Sequence, residues 1–175
     1  MTARAPILTL HSLPGNRQRG LLTIGSITVP AAIGRSGRTS RKREGDGATP
    51  IAEMRVVEGF WRTDRGPRPV TRLPMKPIAR DALWCDEPRH PLYNRPARKP
   101  LRASHEEMRR ADGLYDICIV LDWNLTSRKR YGGSAIFFHL ARPDFTPTEG
   151  CIAISERAMR RLLPAIVPGT RLRVI

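Results

Sequence analysis

The sequence has little of several things that ordinarily place a chain at once. Aromatic residues make up only 6% of it, a thin supply for a platform on which single-stranded bases stack, so nucleic acid is an unlikely partner. No stretch approaches the roughly twenty apolar residues that a membrane span needs. Cysteine occurs only at positions 85, 118 and 151, with no C-x-x-C pair. Neither a zinc ribbon nor a disulfide framework is supported, and an odd count leaves at least one thiol free. His11, His90 and His105 have no partners at metal-ligand spacing. Acid is scarce: 16 Asp and Glu stand against 31 Lys and Arg, a formal net charge of +15. Lysine is scarce too, confined to Lys42, Lys76, Lys99 and Lys129. Such a field attracts polyanions of any kind (nucleic acid, anionic lipid, anionic wall polymer) without choosing among them. An arginine excess of this sort is equally what coding composition yields.

What is present suits one folded domain. The 175 residues are 40% hydrophobic and 27% charged, enough for a sizeable core. With 14 Gly and 16 Pro, long helices, a coiled coil and a collagen-like chain are all disfavoured. Residues 21–24 and 27–29 are β-prone runs with a turn at Gly25-Ser26. The stretch from Leu21 to Ile33, preceded by Arg17 and Arg19, superficially resembles a signal sequence. Thr23, Ser26, Thr28 and Pro30 interrupt it, and the strand reading is preferred. A Gly- and Arg-dense loop follows over 34–50, then a strand over 56–61. Eight prolines between Thr63 and Arg102 predict a long surface-hugging loop with short strand pieces, packed in part through Trp61, Trp84 and Tyr93. The S-x-x-E form of Ser104–Glu107 predicts a short helix running to Arg110. Residues 116–123 (DICIVLDW) read as a buried strand, with Ile117, Ile119 and Leu121 on one face and Cys118 and Val120 on the other. Residues 134–140 read as a second buried strand, 151–154 as a short apolar run, and 171–175 as a closing strand. Ser155 caps a helix from Glu156 to about Leu163, limited by Pro164. The class is mostly β with one or two short helices.

The residues that carry chemistry lie in 139–154, HLARPDFTPTEGCIAI. His139 ends one buried strand and Cys151 heads the next segment. A loop of that length can fold back and bring imidazole and thiol together, and an imidazole is the common means of activating a thiol. Gly150 lets the backbone approach a ligand closely, and successive N–H groups there can hold an oxyanion. A buried apolar thiol and a satisfied core histidine account equally well for each residue taken alone. Cys85 and Cys118 read as structural, Cys118 as a small hydrophobe in mid-strand. Arg142 and Asp144 read either as substrate contacts or as a solvated surface pair.

His139 with Thr148-Glu149-Gly150-Cys151 resembles the signature of the L,D-transpeptidase (YkuD-like) catalytic domain. A second match lies upstream, in Pro30–Gly37 followed by Lys42–Pro50 (KREGDGATP). The whole stretch GGSAIFFHLARPDFTPTEGC is a third. The resemblance spans residues 20–175 as a single catalytic domain, with 1–19 as an N-terminal extension or first strand, and it implies a β-sandwich. It implies a cysteine-dependent L,D-transpeptidase acting on peptidoglycan stem peptides. Cys151 is then the nucleophile and His139 the general base and acid, and the implied mechanism needs no metal and no organic cofactor. The Leu140 carbonyl orients the ring, and the Gly150 N–H serves the oxyanion. Thr148, Glu149, Arg142 and Asp144 fall to substrate binding. An acyl-enzyme on Cys151 would pass to an amine, giving a 3→3 cross-link, and carbapenem-type β-lactams would acylate the same thiol. An L,D-carboxypeptidase or muropeptide-processing hydrolase of the same fold is one alternative, and a non-catalytic anionic-polymer binding module is another. The activity implies the periplasm or cell envelope. With no clear signal peptide in the sequence, the cytoplasm stays open. Two departures stand out. Glu149 replaces a frequent His and puts a carboxylate beside the nucleophile, which disfavours a thiolate unless the side chain turns away. Ala153 stands where an Arg or Asn is frequent. Lys42, Asp46 and Thr49 fit a structural turn better than a catalytic role.

Overall fold

The computed structural model describes residues 5–175. In chain order its strands are β1 (Ile7–Leu13), β2 (Asn16–Ile24), β3 (Ile27–Ala32), β4 (Arg38–Thr39), β5 (Thr49–Pro50), β6 (Glu53–Trp61), β7 (Met75–Pro77), β8 (Ala82–Cys85), β9 (Arg95–Arg98), β10 (His105–Glu107), β11 (Ile117–Leu121), β12 (Phe137–Leu140), β13 (Ile152–Ile154) and β14 (Arg171–Val174). One α-helix, α1 (Glu156–Leu162), precedes a single 3₁₀ turn, Leu163–Ala165.

The expected sandwich gives way to a closed sheet. The large sheet runs β11-β12-β13-β3-β2-β1-β14-β6-β7, and β11 also pairs with β6. That last pairing closes the ring. Strand β6 is long enough to serve three neighbours. Its first residues pair β14 (Met54↔Leu172), while Val56 to Trp61 pair β11 and Gly59 to Trp61 pair β7. Without that pairing β11 would be a free edge and the second half of β6 would lack a partner on one side; here each satisfies the other.

Strand alternation then sorts the side chains into two cores. Ile117, Ile119, Leu121, Phe138, Leu140, Ile152 and Ile154 point into the barrel, with Leu8, Leu10, Leu22, Met54 and Leu172. Helix α1 adds Ala158, Met159 and Leu162 to this interior. Its N-terminus is capped by Ser155, whose side chain accepts from the Ala158 N–H, which satisfies a helix-end donor. Cys118, Val120, Phe137 and Cys151 face the opposite way, outside the barrel, and pack with Trp84, Met108 and Tyr115.

The cover of this outer face comes from the proline-rich segment. Its pieces build a small sheet, β10-β8-β9, and Trp84 on β8 stacks edge-on against Phe137 at 5.0 Å. The helix expected over 104–110 is instead β10, laddered onto β8 through His105↔Cys85 and Glu106↔Trp84. A helix of that length gains too little from its own hydrogen bonds to compete with a ready strand edge. Strand β12 is also shorter than expected: residues 134–136 lie outside it, and Ala135 takes φ +49°. The Leu21–Ile33 stretch is the hairpin β2–β3, with its turn at Gly25-Ser26.

Candidate active site

Strands β12 and β13 are parallel neighbours, with His139 opposite Ala153. Period-2 alternation therefore puts His139 and Cys151 on the same outer face of adjacent strands. Both are buried, at 4% and 8% exposure, at the floor of a cleft of ≈ 450 Å³. Residues 40–49 and 146–149 contribute to its walls, together with Glu106, Arg110 and Tyr115.

The thiol is held by backbone. Sγ accepts from the Phe137 N–H at 3.3 Å and lies 3.1 Å from the Ala135 carbonyl, to which it donates. The unusual φ of Ala135 is what turns that carbonyl toward the sulfur. The His139 ring is fixed from two sides. Its Nδ1 lies 2.8 Å from the Leu140 carbonyl. A carbonyl can only accept, so Nδ1 carries the proton and Nε2 is left as the base. Tyr115 packs against the ring at 5.1 Å between centroids.

Burial keeps the pair neutral. It pushes the Cys151 thiol up to about 12, against the Phe137 N–H, which favours the thiolate. It depresses His139 to about 4, against the carbonyl of Leu140, which favours the protonated ring. Both groups are therefore held in their neutral forms at neutral pH. The histidine also sets a stability requirement. An unfolded chain protonates this ring near pH 6.5, whereas the folded chain resists until about 4. Stability is therefore fully present above pH 6.5 and lost as pH falls toward 4, by up to about 3 kcal/mol. Urea midpoints measured across that window should show the loss, and His139→Asn should flatten it.

The loop that leads into Cys151 is tied down by hydroxyls. Thr148 Oγ1 donates to the Cys151 carbonyl at 2.7 Å, and Thr49 Oγ1 does so at 3.3 Å. The Gly150 N–H donates to Thr148 Oγ1 at 3.2 Å. The N–H of Cys151 finds no acceptor among the described residues. The upstream turn thus acts on the loop directly: Thr49 is fully buried, and Asp46 accepts from the Ala48 N–H and pairs with Lys42. Asp46 and Thr49 brace this turn and the loop through their hydrogen bonds. Lys42 is different, since its side chain reaches the wall of the cleft.

Glu149 turns outward and forms an exposed ion pair with Arg35 at 2.7 Å, so its carboxylate does not oppose the thiolate. Exposed pairs contribute little, and Glu149→Ala should change the thermal midpoint by no more than about 2 °C. Arg142 and Asp144 do not pair. Arg142 reaches Asp112 at 3.1 Å and lines the cleft. Asp144 accepts from the Thr146 N–H and hydroxyl, and it is not among the cleft-lining residues. Sequence reasoning missed the far wall, where Arg110 bonds Asp112 at 2.7 Å and Glu106 at 3.3 Å and lies over the Tyr115 ring at 5.1 Å. These residues come from β10 and the loop after it, and no spacing in the sequence links them to His139.

Fold and site together define a mostly β protein carrying a buried thiol–imidazole pair at the floor of an open cleft. The chain belongs to the YkuD family, the L,D-transpeptidase catalytic domain, whose profile matches residues 18–175. Members are typically cysteine-dependent enzymes that modify peptidoglycan. A solved structure described as that of Bdellovibrio bacteriovorus Bd1075 shares the fold at a TM-score of 0.52 and 12% identity. The alignment covers 98% of this chain and 48% of that one, so this chain spans about half its length. No curated protein matches the sequence.

Proposed function

We propose that this protein is a cysteine-dependent L,D-transpeptidase acting on peptidoglycan stem peptides. The observation that carries the reading is the placement of Cys151 and His139 on one face of neighbouring strands in an open cleft, inside a chain of this family. The thiol proton passes to His139 Nε2 as sulfur attacks the carbonyl on the L-centre of the stem's diaminopimelate residue. The Cys151 N–H meets the oxyanion, joined by the Gly150 N–H once the Thr148 hydroxyl releases it. The C–N bond breaks, D-Ala leaves with the proton from the imidazolium, and a thioester remains on Cys151. An amine of a second stem then attacks, His139 takes its proton, and a 3→3 cross-link forms with the thiol restored. Water in place of the amine gives the carboxypeptidase outcome. Arg142 on the cleft wall is placed to meet a substrate carboxylate. Work on peptidoglycan places the protein in the cell envelope.

Two measurements test the reading together. Incubation with a carbapenem should give a single covalent adduct by intact mass, mapped to Cys151. Incubation with disaccharide tetrapeptide should give dimers, with tripeptide as the hydrolytic product. Tripeptide without dimers would reassign the chain to hydrolysis. Neither product and no adduct would remove the reading altogether.

A further inference from the structure

Proton transfer from thiol to imidazole inside a dry cleft creates a thiolate and then an oxyanion, and both need a compensating positive field. The groups facing Cys151 that bear on that charge are Lys42, Glu106, Arg110, Tyr115, Cys118 and His139. Glu106 opposes a thiolate. Arg110 favours one, but its guanidinium is spent on both oxygens of Asp112, at 2.9 and 2.7 Å, and on Glu106 at 3.3 Å. Arg142, further along the wall, is engaged by Asp112. Of the backbone donors, the Gly150 N–H is already given to Thr148.

Lys42 stands apart from the other cations. Its side chain is 3% exposed, yet it borders the cleft. Its stem packs on Gly133, and Nζ lies against Gly150: a Cβ on that glycine would sit 3.2 Å from it. Its ion-pair partner, Asp46 at 2.5 Å, also accepts the N–H groups of Arg43 at 2.7 Å and Ala48 at 2.9 Å. The carboxylate is thus shared among three donors, so it neutralises the ammonium only in part. A cation in this position stands beside the glycine that precedes the nucleophile, where an acyl oxyanion would form.

We propose that Lys42 is an electrostatic positioning residue, whose ammonium stabilises the Cys151 thiolate and the oxyanion that follows it. The proposal rests on the Cys151–His139 reading of the site. It gives the Gly-Asp-Gly turn a second task beyond bracing the loop: Asp46 holds Lys42 where its charge acts on the sulfur.

Alkylation by iodoacetamide tests this without any peptide substrate. In that reaction a sulfur–carbon bond forms as iodide leaves, and only the thiolate attacks. Rates at Cys151 would be followed by peptide mapping from pH 6 to 11 in the wild type, Lys42→Gln, Lys42→Met and Lys42→Arg. Gln still donates to Asp46, so that variant keeps the turn if Met does not; circular dichroism checks each fold. Loss of the charge should slow Cys151 about tenfold at pH 8 and by a similar factor across the range, which lies below the thiol's midpoint, with Arg restoring most of the rate. A Lys42→Gln protein that alkylates like the wild type would overturn the proposal, and so would an Arg variant as slow as Gln, which would mark a packing role. Because iodoacetamide needs no stem-peptide recognition, a tenfold effect stands even if no stem peptide turns over. Normal turnover with unchanged alkylation would sink Lys42 and leave the proposed function in place. A folded wild type whose Cys151 is inert at every pH would sink the site itself.

Discussion

Cys151→Ala should lose the carbapenem adduct and at least about 10³-fold of any turnover, while keeping its fold. The catalytic side of this expectation follows from position. Cys151 is the one thiol at the cleft floor, whereas Cys85 and Cys118 are sealed in the protein, each at 0% exposure. The structural side is less obvious and sharpens the test. The sulfur accepts the Phe137 N–H and donates to the Ala135 carbonyl, so Ala leaves a buried backbone donor without its acceptor. That costs about 1–3 kcal/mol, or several degrees in the midpoint of a domain this size. Cys151→Ser retains a hydrogen-bonding atom and should recover much of that stability with none of the activity. Finding Ser stable and inactive, and Ala less stable and inactive, separates the sulfur's chemistry from its role as a backbone anchor. Turnover in either variant would refute the nucleophile assignment.

The parts of the fold that the sequence disclosed are those governed by short-range periodicity. Alternation in DICIVLDW separated Ile117, Ile119 and Leu121 from Cys118 and Val120, and these two sets do line two different cores. Ser155 before an apolar-periodic stretch located α1 to within a residue of its end. What stayed hidden depends on long-range pairing. Closure of the barrel rests on β6 meeting β11 about sixty residues later, and neither strand carries a mark of its partner. The proline run suggested a loop because proline removes donors. Here Pro96 sits in β9, at the edge of the small sheet, where a missing donor is tolerated. The capping-box pattern at Ser104 misled for a related reason: it is a local signal, and the edge of β8 outweighed it. At the site, the Cys–His pair became legible through its resemblance to a family. Lys42 did not, because a motif records which residues recur and not that one of them lies buried against the catalytic loop.

Gly150→Ala should damage both stability and rate. Gly150 takes φ +131°, a backbone region that side-chain-bearing residues rarely occupy, at a cost of about 1–3 kcal/mol. Space compounds the strain. An added Cβ would stand 2.8 Å from the Ala48 carbonyl oxygen and 3.2 Å from Lys42 Nζ. The first of these is backbone in a turn pinned by Asp46 and Thr49, so the catalytic loop must move instead. Any such shift displaces the Cys151 N–H and sulfur from the His139 imidazole, and a misplacement of roughly 1 Å costs about 10²-fold in rate. Gly25, in the β2–β3 turn away from the cleft, provides the control. It also has positive φ, at +56°, but a Cβ there meets nothing within 4 Å. Gly25→Ala should therefore show the backbone strain alone, lowering the melting temperature while sparing carbapenem acylation. Gly150→Ala should lower both. Equal acylation rates in the two variants would mean that the tight contacts around Gly150 do not set the geometry of the nucleophile.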